Sequence, residues 1–321
     1  MLSNLAVNKP TGLIGNPDTS AIIADWHAAL DLEVRAGDLS ETSARTYRKG
    51  LEKFIAWCDR SDILAVDSET IQNWKAALIA QKAKPGAINT WLSGVRAFYR
   101  WAVAAQRLLY NPAAGVKGAQ RKGTSKNHKR ETLTDLEARR LLAQPDTGTT
   151  VGLRDKSMLY LFLFTAVRTI EIHRVELKDL HTNGNKMTLD VTGKGHVESD
   201  ELVVIENPDA QEALYDWFAA RGRQPGAIFT SLSDRSYGHP LSLQAIRAIV
   251  KGYMKAAGIQ SDRKTTHSLR HTAITSAIRH GATPMQARSM ARHKSLDTTM
   301  IYYHELDRLE NPAEGFIKYD D

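Results

Sequence analysis

Apolar residues recur at helical spacing in four successive stretches between residues 21 and 110, and this pattern fixes the fold class of that part of the chain. The second stretch is the clearest, because apolar residues from Ala44 to Cys58 share one helical face after a helix-start candidate at Ser40. The other stretches carry Ile22, Trp26, Leu30 and Val34, then Ile71, Trp74 and Leu78, then the apolar residues from Ile88 to Ala102. Asn111-Pro112 opposes further helix. The sequence therefore predicts a small all-helical domain.

The next segment, residues 117–130, is strongly basic and contains no acidic residue. In the whole chain 43 Lys and Arg residues outnumber 36 Asp and Glu residues, which gives a formal net charge of +7. Excess positive charge favours a polyanionic partner, and a basic segment between two domains suits a strap across DNA. The candidate DNA contacts are Lys122, Lys126, Lys129 and Arg130. A solvated tether is the alternative interpretation.

The rest of the chain combines helical patterns with one predicted β-hairpin. Thr134 begins a capping-box pattern, and a long apolar helix is predicted over 155–167. Residues 187–191 alternate between apolar and polar and residues 202–205 are apolar, which predicts a hairpin with Lys194 at its tip. Further helices are predicted over 209–221, 242–257, 267–280, 285–292 and 296–304. The predicted fold class is mainly α with a small β-hairpin or sheet, in two domains.

Composition disfavours several classes of protein. The single cysteine, Cys58, excludes an intramolecular disulfide framework. Residues 1–20 show no secretory signal, and the longest apolar run, 158–167, is too short to span a bilayer. The sequence has no Gly-rich phosphate-binding loop, which disfavours a bound nucleotide, and we expect no cofactor. These observations predict a cytoplasmic protein with no membrane role.

The segment HSLRH places His267, Arg270 and His271 at positions i, i+3 and i+4, hence on one helical face. Clustered cationic groups are favourable beside an anion, while a solvated face with scattered charges is the alternative. The two histidines also have a spacing that a metal site could use. Residues 268 and 269 supply no carboxylate between them, however, so an H-E-x-x-H metallohydrolase is disfavoured. We predict an anion site without a metal.

Together with two further motifs, this segment resembles the tyrosine recombinases, also called phage-type integrases. The motifs are TAVRTIEI at 165–172, HSLRH at 267–271 and ARHKSLDTTMIYYH at 291–304, and residues 40–112 resemble the helical core-binding domain of that family. The resemblance implies two domains that close as a clamp around DNA. It divides the chain into an N-terminal tail (1–20), a helical SAM-like core-binding domain (21–116), a basic linker (117–130), a catalytic domain (131–305) and a C-terminal tail (306–321).

The resemblance also assigns the catalytic residues, which are Arg168, Lys194, His267, Arg270, His293 and Tyr302. The two arginines would bind the non-bridging oxygens of the scissile phosphodiester through forked hydrogen bonds, and His293 would add a donor. A phosphodiester gains negative charge in its pentavalent transition state, so each preorganised donor is valuable. Losing one such donor typically costs about 3–4 kcal/mol of transition-state stabilisation.

Tyr302 would be the nucleophile. A phenol has a pKa of about 10, so forming phenolate near pH 7 costs roughly 4 kcal/mol unless a base or a cationic field assists. His267 is the candidate base, and Lys194 is the candidate acid that protonates the departing 5′ oxygen. Glu171 would orient an arginine and His271 would support the site, although an ordinary surface role for Glu171 stays open.

The chain departs from the family pattern at two places. The family has glycine before the Leu-Arg of the first motif, where this chain has Ala166 and Val167, and glycine before the late histidine, where it has Arg292. Neither departure removes a catalytic group. Arg292 adds bulk and positive charge beside the site, which leaves the local backbone turn and the rate of reaction open.

The resemblance implies a site-specific recombinase that forms a 3′-phosphotyrosyl intermediate and proceeds through a Holliday junction. Its expected partners are double-stranded DNA recombination sites, on which four copies assemble, with residues 306–321 packing into a neighbouring copy; a frayed terminus is the alternative. We expect it beside the nucleoid. Two other functions stay open: a topoisomerase that cleaves, relaxes and reseals as a monomer, and a DNA-binding protein without catalytic activity.

Overall fold

The structure is a computed structural model in which the chain forms two compact units, residues 1–124 and 125–321. It describes residues 19–58, 63–120, 131–184, 186–192 and 201–310, with the backbone alone for 304–310. The predicted Lys194 and the predicted DNA contacts Lys122, Lys126, Lys129 and Arg130 lie outside the described residues. The predicted linker boundaries therefore stay a prediction.

The first unit contains four helices in its described part, as the periodicity predicts. They are α1 (Thr19–Ala36), α2 (Glu41–Trp57), α3 (Ser68–Ala80) and α4 (Pro85–Ala104). Ser40 caps α2, because its side chain accepts a hydrogen bond from the backbone N–H of Ser43 at 3.1 Å. The segment after α4 turns at Asn111, whose side chain accepts from the N–H of Ala113 at 2.8 Å.

The core of this unit is aromatic, and its helices approach closely at two glycines. Trp26 and Phe98 meet edge to face with ring centroids 5.5 Å apart. Where α2 crosses α4, Gly50 and Gly94 let the two backbones meet. A Cβ atom added at Gly94 would lie 2.2 Å from the carbonyl oxygen of Tyr47, so no larger side chain fits without moving a helix.

The described part of the second unit contains eight α-helices and a small sheet. The elements are α5 (Asp135–Leu142), α6 (Thr150–Thr165), α7 (Thr169–Arg174), β1 (Leu180–Asn183), β2 (Lys186–Val191), β3 (Glu201–Ile205), α8 (Pro208–Arg221), α9 (Leu243–Ala256), α10 (Thr266–Arg279), α11 (Pro284–Ala291) and α12 (Leu296–Glu310). Short 3-10 turns lie at Leu177–Asp179 and Asp234–Ser236. The predicted capping box at Thr134 is present, since its hydroxyl accepts from the N–H of Glu137 and the Glu137 carboxylate accepts from the N–H of Thr134.

The sheet is antiparallel in the order β1-β2-β3, and its second pair is the predicted hairpin. Met187 pairs with Ile205 and Leu189 with Val203, which places all four side chains on the buried face. The first strand was not predicted from the sequence. Its residues are mostly exposed and lack an apolar alternation, so no pattern marks it.

The main core of this unit lies between α6, α8, α9 and the sheet, with Phe162, Trp217 and Phe229 fully buried. A smaller apolar cluster joins the end of α6 to α10, α11 and α12. Two helices differ from their predicted bounds by more than one residue at an end: α6 begins earlier, because Thr149 caps it, and ends at Thr165, and α12 continues to Glu310. The predicted fold class, mainly α with a small sheet, is confirmed. Within the described residues, no helix is long and apolar enough to cross a membrane.

The close crossing of α2 and α4 predicts that Gly94→Ala lowers the free energy of unfolding of the first unit by about 2 kcal/mol, because the added methyl group forces the helices apart. Tryptophan fluorescence during chemical denaturation can measure this, since five of the six tryptophans belong to residues 1–124. The control is Gly115→Ala, whose Cβ meets nothing within 4 Å. Equal effects of the two substitutions would show that the contact does not constrain the helices.

Candidate active site

Five elements of the second unit bring together the predicted catalytic residues that the structure describes. Arg168 follows α6 and precedes α7, Arg270 lies on α10, His293 follows α11, and Tyr302 lies on α12. The smaller apolar cluster, which includes Ala166, Ala291 and Tyr302, holds these elements against one another. Residues far apart in sequence thus share one end of the unit.

Arg168 is half-buried and is held by groups from three segments. Its Nη1 donates to Glu171 Oε1 at 2.6 Å and to Glu201 Oε2 at 2.9 Å, and its Nη2 donates to the backbone oxygen of Arg292 at 2.7 Å. Burial alone would lower the pKa of Arg168, but the two carboxylates outweigh it and raise that pKa. The guanidinium is therefore fixed in place and fully charged.

The Glu171 carboxylate is buried and links two guanidiniums. Its Oε2 accepts from the backbone N–H of Arg168 at 2.7 Å and from Nη2 of Arg292 at 2.7 Å, while its Oε1 binds the Arg168 side chain. Arg292 is itself buried, and its Nη2 also donates to the Ala166 oxygen at 3.2 Å. The sequence predicts that Glu171 orients one arginine, whereas in the structure its carboxylate binds two.

Arg270 is 5% exposed, and both of its terminal nitrogens donate to backbone oxygens, Nη1 to Ala166 and Nη2 to Ala291. Burial, together with the charges of Arg168 and Arg292, lowers the pKa of Arg270 to about 10, although Glu171 and Tyr302 act in the opposite direction. It stays protonated at neutral pH. A lowered pKa means that the charged form is destabilised where it lies, so an anion beside it would relieve that cost.

Both departures from the family pattern lie at turns with left-handed backbone. Ala166 ends α6 with φ of 53° and Arg292 ends α11 with φ of 52°, a conformation that favours glycine. A residue with a Cβ atom in this conformation lowers the free energy of unfolding by roughly 1 kcal/mol. The turns point the backbone oxygens of Ala166 and Ala291 at Arg270, so the unusual geometry is kept although neither residue is glycine.

The ring of Tyr302 lies between two histidines and is 3% exposed. Its hydroxyl hydrogen-bonds Nδ1 of His271, and the ring centroid of His293 is 6.1 Å from that of Tyr302 in a stacked arrangement. Nδ1 of His293 hydrogen-bonds the hydroxyl of Thr299 at 2.9 Å, which fixes its ring. The neighbouring Tyr303 points elsewhere, since its hydroxyl donates to the backbone oxygen of Ala282.

An open cavity of about 1080 Å³ leads to Arg168, and exposed His267 lines it too. Further basic side chains on its wall are Arg247, Lys251 and Lys294. A smaller cavity of about 420 Å³ includes His293 in its wall, and Glu201, Arg292 and Lys294 line both. The site is thus a basic concavity that suits an anionic ligand.

Glu201 is not predicted from the sequence, although its carboxylate, like that of Glu171, lies against both Arg168 and Arg292. Its only local signal is its position at the start of a predicted strand, which says nothing about a partner 33 residues away. The sequence favoured His267 as the group acting on Tyr302, whereas the hydroxyl of Tyr302 contacts His271. Lys194 lies outside the described residues, between β2 and β3.

Comparison with known proteins identifies the family of the chain. Residues 131–308 match the Phage integrase family, and residues 29–106 match the Phage integrase N-terminal SAM-like domain. Because the first match alone covers more than half of the chain, the chain belongs to the phage integrase family. Within that family it is a tyrosine-type site-specific recombinase, as the sequence analysis predicts.

One relative supports the same class, and two solved structures share the fold. The chain is 29% identical over 291 residues to the tyrosine recombinase XerD of Lacticaseibacillus casei, covering 88% of this chain and 93% of that protein. A post-cleavage complex of the XerH recombinase with its palindromic difH substrate has a TM-score of 0.69 at 16% identity, covering 95% of this chain and 91% of that chain. The Tn1549 transposon integrase with circular intermediate DNA has a TM-score of 0.66 at 16% identity, covering 94% and 100%.

The shared carboxylate predicts that Glu171→Gln lowers the free energy of unfolding of the second unit by about 3 kcal/mol, because the buried Arg292 loses its ionic partner. The control is Glu131→Gln, which breaks an exposed pair with Arg263 and should cost less than about 1 kcal/mol. Calorimetric unfolding of the full chain compares the two. A similar, small loss for both variants would refute the central role of Glu171.

Proposed function

We propose that the protein cleaves and rejoins DNA at specific sites through a covalent bond between Tyr302 and a 3′ phosphate. The observation that carries this proposal is the hydrogen bond between the Tyr302 hydroxyl and His271. Tyr302 also belongs to the smaller apolar cluster, which includes the turns that hold Arg168 and Arg270. The residues proposed as nucleophile, proton acceptor and phosphate ligands thereby lie at one end of the unit. This is the set that a transesterification at phosphorus needs.

The arginines are proposed to bind the scissile phosphate. The described site holds three guanidiniums, Arg168, Arg270 and Arg292, against two carboxylates, Glu171 and Glu201, and so keeps a net positive charge. The phosphate would approach through the cavity that Arg168 and His267 line. Positive charge fixed before the substrate arrives stabilises the extra negative charge of the pentavalent transition state.

His271 is proposed to take the proton from Tyr302 as its oxygen attacks phosphorus, because Nδ1 already contacts that hydroxyl. His267 was the candidate from sequence alone and stays the alternative base; its place on the cavity wall also suits hydrogen bonding to the phosphate. His293, with its ring fixed by Thr299, is proposed as a further donor to the phosphate.

Lys194 is proposed to protonate the leaving 5′ oxygen. Atoms balance in this scheme: the Tyr302 oxygen forms a bond to phosphorus, the bond from phosphorus to the 5′ oxygen breaks, and that oxygen leaves as a hydroxyl. A second 5′ hydroxyl attacking the phosphotyrosine reverses the steps and reseals the strand. Because the phosphotyrosyl ester conserves the energy of the broken phosphodiester, the scheme includes no nucleotide cofactor.

Double-stranded DNA is the proposed substrate. The cavity wall is basic, and the similar structures include recombinases bound to difH DNA and to transposon circular intermediate DNA. We further propose that Lys122, Lys126, Lys129 and Arg130 contact the duplex, that four copies act on two sites, and that exchange proceeds through a Holliday junction. Residues 306–321 are proposed to pack into a neighbouring copy.

The geometry predicts that Tyr302→Phe abolishes covalent attachment to DNA while leaving DNA binding unchanged, since the substitution removes a single hydroxyl. The measurement uses a nicked duplex that loses a short fragment after cleavage, so that the adduct accumulates and appears on a denaturing gel. Tyr303→Phe is the matched control, because its hydroxyl contacts the backbone of Ala282 instead of His271, and it should form the adduct. Peptide mapping that places the adduct on Tyr303 would overturn the assignment.

For Lys194, the expectation is that Lys194→Ala slows cleavage by on the order of 1,000-fold, a typical contribution of a positioned acid. Replacing the leaving 5′ oxygen with sulfur should restore most of the rate, because a thiolate departs without a proton. Gel quantification of single-turnover cleavage on both substrates measures the effect. If the sulfur substrate brings no recovery, Lys194 is not the acid.

A further inference from the structure

Arg292 stands where the family has glycine, yet its side chain is built into the site. The guanidinium is buried and contacts three groups: Nη2 donates to Glu171 Oε2 at 2.7 Å and to the Ala166 oxygen at 3.2 Å, and Nη1 donates to the Met290 oxygen at 2.9 Å. Its backbone oxygen accepts from Arg168. These contacts exceed what a surface arginine at a helix end would make.

Each of the two proposed phosphate ligands depends on a group that Arg292 also holds. Arg168 binds Glu171, and so does Arg292; Arg270 binds the Ala166 oxygen, and so does Arg292. The Arg292 side chain therefore bridges the supports of both arginines. A glycine at this position could supply the turn and the backbone oxygen, but none of the bridging.

The charged groups around Arg292 indicate a second role for its side chain. Arg168 Nη1 is occupied by Glu201, so a phosphate that binds this nitrogen competes with that carboxylate. Arg292 Nε lies 3.4 Å from Glu201 Oε2, and within the described residues it makes no hydrogen bond although it is buried. It is thus a donor placed beside the carboxylate that the phosphate would displace.

We propose that Arg292 is a positioning residue with two tasks. It holds Glu171 in place, and it forms an ion pair with Glu201 when the scissile phosphate replaces Glu201 on Arg168. The proposal rests on the proposed function. Without the Arg292 charge, the two remaining guanidiniums, Arg168 and Arg270, would face two carboxylates, and the described site would lose its net positive charge. With it, Glu201 moves from one guanidinium to another and the net charge stays positive.

The test compares wild type with Arg292→Gln and Arg292→Lys in single-turnover cleavage of the nicked duplex, with DNA affinity measured separately. Arg292→Gln should cleave on the order of 30-fold more slowly, a usual strength of coupling between contacting polar groups, with affinity for the duplex within about threefold of wild type. Arg292→Lys keeps the charge and should retain most of the rate. A lysine variant as slow as the glutamine variant would overturn the charge argument.

The partner substitution separates positioning from a general loss of structure. If Arg292 must pair with Glu201 during cleavage, then adding Glu201→Gln to Arg292→Gln removes the carboxylate that competes with the phosphate. The double variant should then recover at least tenfold of the lost cleavage rate. A merely structural role would make the double variant slower still. No recovery in a double variant that melts at the same temperature as the single variant overturns the proposal.

A neutral substrate gives an independent readout. Replacing a non-bridging oxygen of the scissile phosphate with a methyl group removes its charge, so the deficit of Arg292→Gln against wild type should shrink to about threefold or less. An unchanged deficit on this substrate overturns the proposal. Absence of any wild-type adduct on the ordinary substrate would instead refute the proposed function.

Arg292→Gly tests whether the side chain contributes at all. Glycine relieves the left-handed backbone and restores the family pattern, so a chain that merely tolerates Arg292 would cleave at least as fast with glycine. The proposal expects the glycine variant to be as slow as Arg292→Gln. Wild-type speed in Arg292→Gly would show that the bridging contacts have no part in cleavage.

Discussion

The Glu171 carboxylate is the contact on which the rest of the site depends. It is buried, it caps the first turn of α7 by accepting from the N–H of Arg168, and it binds the side chains of Arg168 and Arg292 at 2.6 and 2.7 Å. A buried carboxylate is costly unless ionic partners and hydrogen bonds satisfy it, and here both oxygens are satisfied. The same carboxylate fixes the start of α7 against the end of α11. It therefore sets both the charge of the site and the packing of these two helices.

Two turns with left-handed backbone position further groups of the site. They end α6 at Ala166 and α11 at Arg292, and they leave the oxygens of Ala166 and Ala291 directed at Arg270. Helix ends carry unpaired carbonyls with partial negative charge, so they are suitable acceptors for a buried guanidinium. The strain of two non-glycine turns, roughly 1 kcal/mol each, is small beside the cost of a buried arginine without acceptors.

Much of this architecture is readable in the sequence, because helices and hairpins leave periodic patterns. The Ser40 and Thr134 caps and the β2-β3 pair all follow from local spacing. Contacts between distant segments leave no such pattern. Glu201 lies 33 residues from Arg168, and Arg292 lies 121 from Glu171, so neither pairing could be inferred without the fold. The contact of Tyr302 with His271 is similar: helical spacing puts His267 and His271 on one face, and only the placement of α12 decides which meets the phenol.

The division of the second unit into two apolar clusters explains why polar contacts have so large a part at the site. The main core uses large side chains such as Phe162 and Trp217, whereas the cluster around Tyr302 is built largely of alanines, which bury little area each. Apolar burial stabilises by about 25 cal/mol per Å², so small side chains contribute little. Two of these alanines, Ala166 and Ala291, also supply the backbone oxygens that accept from Arg270. The hydrogen bonds and ion pairs that form the site therefore add to the apolar contacts that hold α11 and α12 on the rest of the unit.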